Sequence, residues 1–231
     1  MALAVSLGFP TAIGRAQDAV ACKGYSYSGL QGGRAISGVR ATIRVMQTPN
    51  VHEGHVAGWI GIGGSDLGPG GVAEWLQTGY AAWPPDTLQV YYELTLPGQA
   101  TTYHMLKQQA TVGEVHTVAL IETNRKGSWR VWLDGRPASP AYYLKGSHAT
   151  YKPQGIGENW TTSTTCNTYD WLFSNVRVEL RRGWRWTTGR KPGYKWQDAG
   201  YKIKLIPPDS FETKSILGEP TGALRPPRPP R

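Results

Sequence analysis

No run in this 231-residue chain reaches 18 apolar residues, so hydropathy reads no transmembrane span. Helical signals are also scarce. No long segment free of Gly and Pro shows an apolar stripe of 3.6-residue period. No βαβ alternation and no internal repeat appears. The chain has two cysteines, Cys22 and Cys166, and neither has a CxxC partner. There is no GxSxG, no glycine-rich phosphate loop, and no helix-turn-helix or zinc-finger pattern. His52-Glu53-Gly54-His55 is not HExxH. Its histidines are three apart in an expected loop, so a zinc protease is unsupported. No metal and no cofactor is implied. Met1 to Phe9 is apolar, but it is short and lacks a basic n-region, so it is not read as a signal peptide. Export by earlier processing or by another route stays open.

What is present favours strands. The chain has 29 glycines and 11% aromatic residues. Ser37–Thr48 alternates, with Val39, Ala41, Ile43 and Val45 on one face. Leu88–Leu96 does the same, with Leu88, Val90, Tyr92 and Leu94 opposed to Gln89, Tyr91 and Glu93. Thr101–Gln108, Val115–Ile121, Ser128–Leu133, Ala141–Leu144 and Tyr169–Leu180 read as further strands. Asp134-Gly135 is a hairpin turn signal. Nine or more short strands at regular spacing predict an all-β, two-sheet antiparallel β-sandwich. The expected organisation is an N-terminal arm over 1–36, the sandwich over 37–180 and an extension over 181–231.

The stretch Val56–Tyr80 organises the chain. Two β-patterned segments, Val56–Ile62 and Val72–Gly79, flank a Gly-rich turn. In the second, alternation puts Glu74, Leu76 and Thr78 on one face and Ala73, Trp75 and Gln77 on the other. A Gln beside a Trp in mid-strand is costly if dry and unpaired. Gln77 therefore has a structural partner or points into a wet cleft.

WIGIGG followed by WLQTGY resembles the glutamic peptidases (eqolisins). Their pattern is a Trp-Val-Gly-Ile-Asp-Gly-like strand, then a strand ending Leu-Gln-Thr-Gly, then a distant strand with Glu-Trp. Here the third element is Gly157-Glu158-Asn159-Trp160, with Asn159 inserted after the Glu. The resemblance covers about Ser37–Leu180. It implies a concanavalin-like sandwich and acid-favoured endopeptidase activity on a polypeptide substrate. It also implies Glu158 as general acid/base and Gln77 as the group that orients water and donates to the oxyanion. Trp75 and Trp160 would flank that cleft, with Trp59 and Trp83 as further substrate contacts. Glu74 points away from Gln77 by strand parity and is not expected to take part.

Other readings stay open. A glycoside hydrolase on such a sandwich would carry paired carboxylates on one strand face. Leu88–Leu96 offers only Glu93 and Gly155–Thr162 only Glu158. A non-catalytic sandwich could bind glycans through its tryptophans, or assemble as a surface or virion structural protein. Cys22 and Cys166 allow one disulfide or two buried thiols. A bridge would tie the arm to the Glu158 region and imply an exported protein, extracellular or at the cell surface.

Charge is concentrated at one end. Residues 1–180 hold 13 Lys+Arg against 12 Asp+Glu, and residues 181–231 hold 12 against 4. This basic, aromatic extension has three readings: a polyanion contact, an anchor to an envelope or neighbouring subunits, or packing on the sandwich with Lys and Arg stems over Trp rings. Without a nucleic-acid motif, nucleic acid is not the expected partner. Arg225–Arg231 should form an extended polyproline segment.

Overall fold

A computed structural model describes residues 22–85, 87–180, 183–186 and 193–216, the last-but-one of these by backbone pairing alone. The apolar start Met1–Phe9 and the Pro-rich end Arg225–Arg231 lie outside the described residues. So do the side chains of Trp184 and Trp186.

The described chain is all-β. Its strands are β1 (Gly24–Gln31), β2 (Gly38–Val45), β3 (His55–Gly64), β4 (Glu74–Trp83), β5 (Thr87–Thr95), β6 (Thr102–Lys107), β7 (Val115–Glu122) and β8 (Ser128–Leu133). They continue as β9 (Arg136–Tyr143), β10 (Pro153–Thr161), β11 (Asp170–Leu180), β12 (Gly183–Trp186), β13 (Tyr194–Gln197), β14 (Tyr201–Ile206) and β15 (Ser210–Ser215). The first sheet runs β13-β1-β10-β3-β4-β5-β6. The second runs β14-β15-β11-β2-β7-β8-β9, with β12 also paired to β11. All pairings are antiparallel, and the two sheets bury a common apolar core.

The alternation read from the sequence is the alternation of the core. Val39, Ala41, Ile43 and Val45 are buried inside, as are Leu76, Tyr80, Leu88, Val90, Tyr92 and Leu94. The Asp134-Gly135 turn joins β8 to β9 with both residues at positive φ, 50° and 79°, as a tight hairpin of matching twist requires.

The strands of the sandwich are not confined to residues 37–180. Residues 24–31, within the expected N-terminal arm, form β1 between β10 and β13. Residues 193–216 supply β13 to the first sheet and β14 and β15 to the second. This part of the extension therefore belongs to the sandwich itself. Cys22 and Cys166 are joined as a disulfide, which fastens the start of β1 to the loop after β10.

Glycines on the inner face of the first sheet admit aromatic rings from the second. A Cβ on Gly58 would lie 2.7 Å from Trp171 Cγ, and one on Gly157 would lie 2.7 Å from the Tyr169 ring. A Cβ on Gly155 would lie 3.0 Å from Phe211 Cζ.

Trp171 is fully buried and has no room to retreat. Gly58→Ala should therefore destabilise the fold by about 1–3 kcal/mol, the usual cost of overpacking. The expected result in urea is a lower unfolding midpoint with an unchanged slope. Replacing both cysteines by Ala should cost about 2–4 kcal/mol by the same measurement.

Candidate functional site

The outer face of the first sheet carries a cleft of about 520 Å³. Three rows of cross-strand neighbours position the residues that line it. In the first row, Gln154 of β10 faces Gly61 of β3, Gly61 faces Gln77 of β4, and Gln77 faces Glu93 of β5. In the second, Ile156 faces Trp59, Trp59 faces Gly79, and Gly79 faces Tyr91. In the third, Tyr27 of β1 faces Glu158 and Glu158 faces Ala57. The two glycines allow close approach: a Cβ on Gly79 would lie 2.1 Å from the Gly58 carbonyl oxygen. A Cβ on Gly61 would lie 2.8 Å from the Trp59 ring and 3.2 Å from Gln77 Cβ.

Glu158 stands opposite the small side chain of Ala57, so its carboxylate reaches the two diagonal neighbours on β3. Trp59 Nε1 donates to Oε2 at 2.8 Å, and His55 Nε2 lies 3.0 Å from Oε1. Aromatic rings pack around His55: Trp160 stacks on it at 5.8 Å, Trp83 tilts against it at 5.9 Å and Tyr25 meets it edge-on at 6.4 Å.

Gln77 is 8% exposed and gives an N–H to the Tyr91 hydroxyl at 3.1 Å. It has both a structural partner and a place in the cleft. Burial pushes Tyr91 well above the usual phenol range, and the Glu158 and Glu93 charges add to that. The phenol thus stays a neutral hydrogen-bonding group at Gln77.

Glu93 accepts from Trp75 Nε1 at 2.9 Å. Burial pushes its carboxyl above the ordinary glutamate range. The Trp75 N–H pulls it down, the Glu158 charge pushes it up, and His55 pulls it down.

The sequence-predicted residues divide by location. Gln77, Glu158, Trp59 and Trp75 all line the cleft. Trp160 and Trp83 sit beside it, packed on His55. No hydrogen bond joins Gln77 to Glu158. Along β3 the two lie at levels four residues apart, roughly 13 Å of strand. Glu74 points inward as parity required. It accepts from the Lys145 and Gly146 backbone N–H groups and from the Tyr151 hydroxyl, at 2.8, 2.9 and 2.6 Å. Asn159 faces the interior, fully buried.

Several lining residues were not foreseen. His55, expected in a loop, opens β3. Its signal was the two-residue spacing His55, Ala57, Trp59. Tyr25 and Tyr27 were hidden in the glycine-rich arm, and Trp196 in the basic extension. Trp196 enters because β13 pairs with β1, opposite Gly29. Glu93 had the right parity, but only the β4–β5 pairing shows that its face is the face of Gln77. Among the described residues, no group of three or more His, Cys, Asp or Glu could hold a metal ion.

With this geometry in view, comparison with solved structures is informative about the fold. Scytalido-glutamic peptidase with a peptide-based transition state analog superposes with a TM-score of 0.58 at 15% identity, covering 84% of this chain and 98% of that one. The same peptidase with a transition state analog inhibitor gives 0.54 at 13% identity, with the same coverage. The carbohydrate-binding module CBM66 from Bacillus subtilis gives 0.36 at 15% identity, covering 67% of this chain and 81% of that one. No protein-family model and no curated protein matches the chain. The architecture is thus that of the peptidase sandwich. Its resemblance to the eqolisins is a distant structural one.

Two measurements test the electrostatics. Trp75→Phe removes a donor that favours ionised Glu93, so the Glu93 carboxyl should titrate higher by ¹³C NMR. The raised Glu93 value also has a stability consequence. Its contribution is fully present below the unfolded-state pKa and is lost as pH rises through the folded-state pKa. Glu93→Gln should flatten that fall in unfolding free energy, read by urea titration at stepped pH.

Proposed function

We propose that this chain is an acid-favoured endopeptidase. The observation that carries the reading is the placement of the Gln77 amide and the Glu158 carboxylate in one aromatic-walled cleft, on a sandwich shared with a peptidase over nearly its whole length. Glu158 takes a proton from a water that attacks the peptide carbon. Two of its lone-pair positions face His55 and Trp59, and the others remain for water. Gln77 uses one amide hydrogen on Tyr91 and has a second for the developing oxyanion. Neither side chain is a strong nucleophile, so the attack is by water with no covalent intermediate. The aromatic walls receive the substrate's apolar side chains. The disulfide fits an oxidising compartment, so the site of action is outside the cytoplasm.

A second reading has its own observation. Tyr25 is 56% exposed and lies flat against Tyr27, with ring centres 5.8 Å apart. Such a platform at the cleft edge suits a sugar ring as well as a peptide side chain.

The deciding experiment is degradation of a denatured protein across pH 2 to 7. Wild type should cleave with an acid optimum. Gln77→Ala should lose about 10²–10³ in kcat, the usual effect of removing one oxyanion donor. Glu158→Gln should lose comparably or more, with folding of each variant checked by near-UV circular dichroism. A well-folded wild type that cleaves nothing would end the peptidase reading. Binding of oligosaccharides by calorimetry would then support the second one.

A further inference from the structure

Two carboxylates that stand alone on their strands share this cleft. Glu93 is the direct cross-strand neighbour of Gln77, and Glu158 stands across the cleft on β10. Each is fixed by an indole N–H from a strand between them. Trp75 of β4 donates to Glu93 at 2.9 Å, and Trp59 of β3 donates to Glu158 at 2.8 Å. Gln77, hydrogen-bonded to the Tyr91 hydroxyl, lines the same cleft beside Glu93. Glu158 also faces His55, whereas among the described residues Trp75 is the one side chain hydrogen-bonded to Glu93.

We infer that Glu93 and Glu158 form a functional couple, in which Glu93 carries the proton delivered to the departing amine and Glu158 accepts the proton of the attacking water. This inference rests on the peptidase reading. The surroundings of Glu93 agree with it. Burial favours the neutral acid, and the Glu158 charge adds to that, against the Trp75 N–H and His55. Tyr103 and Tyr91 also face it, as do Tyr27 and Tyr25 from β1, and burial drives all four phenols upward and keeps them neutral.

The step balances. The water oxygen bonds to the carbonyl carbon, and its proton goes to Glu158. The C–N bond then breaks, and the nitrogen takes the Glu93 proton. The couple is left with its proton on Glu158 and resets by exchange with solvent. Activity thus requires Glu158 ionised and Glu93 protonated. That predicts a bell-shaped pH profile whose alkaline limb belongs to Glu93.

The test pairs activity with titration. Glu93→Gln should lower kcat by about 10²–10⁴, the range for loss of a general acid, and should abolish the alkaline limb. In wild type, the ¹³C carboxyl titration of Glu93 should lie above the ordinary glutamate value, and it should fall in Glu158→Gln. A Glu93→Gln enzyme that keeps wild-type activity and its alkaline limb would overturn the couple and leave the peptidase reading standing. A Glu93 titration unmoved by Glu158→Gln would overturn it equally, without recourse to activity. A wild type that cleaves nothing overturns the peptidase reading, and the proton delivery with it.

Discussion

The structure depends on glycines of one sheet receiving aromatic rings of the other. Gly58, Gly155 and Gly157 line the inner face of the first sheet and admit Trp171, Phe211 and Tyr169. Those rings stack among themselves. Phe173 lies on Phe211 at 4.5 Å, Tyr169 on Tyr201 at 5.2 Å and Trp171 on Tyr169 at 6.0 Å. A side chain at any of the three glycines would push the sheets apart locally. The rings come from β11 and the residue before it, from β14 and from β15, so the C-terminal segment completes the core that the central strands begin. Strand parity then carries the packing outward. With Gly58 clamped under Trp171, its neighbours Ala57 and Trp59 must face the cleft. With Gly157 under Tyr169, Ile156 and Glu158 must do the same. The site is the reverse side of the core.

That coupling explains which parts were legible in the sequence. Period-two alternation placed Gln77 and Trp75 on one face and Glu74 on the other, and it set Tyr91 and Glu93 opposite Leu94. It needs only local information. The order of strands does not follow from local patterns. β1 pairs with β10 and β13, each more than a hundred residues downstream. Within it Gly29 serves close approach: a Cβ there would lie 2.1 Å from the Gly155 carbonyl oxygen. β15 was missed because Phe211 is its one large apolar residue. β13 was missed because Tyr-Lys-Trp-Gln looks like any other part of a basic, aromatic tail.

The same limit governed the candidate site. Glu93 and Glu158 each stand alone on a strand, so inspection strand by strand finds no carboxylate pair. The pair exists only across β3 and β4, the strands that lie between β10 and β5. His55 was hidden differently. Its place beside glycine in a histidine-rich turn suggested a loop, whereas the ladder starts at His55 itself.

Charge distinguishes the cleft from the chain as a whole. The chain is strongly basic, with a net charge of +9, yet among the described residues no Lys or Arg lines the cleft. Its ionisable walls are two carboxylates, a histidine and two tyrosines. Lys202 and Lys204 stand exposed on β14, in the other sheet. Surface charges separated by more than a Debye length, about 8 Å in physiological salt, are largely screened from one another. Among the described residues, the charged groups of the cleft are therefore Glu93, Glu158 and, when protonated, His55. The cleft thus presents an acidic, aromatic wall on a chain whose net charge is positive.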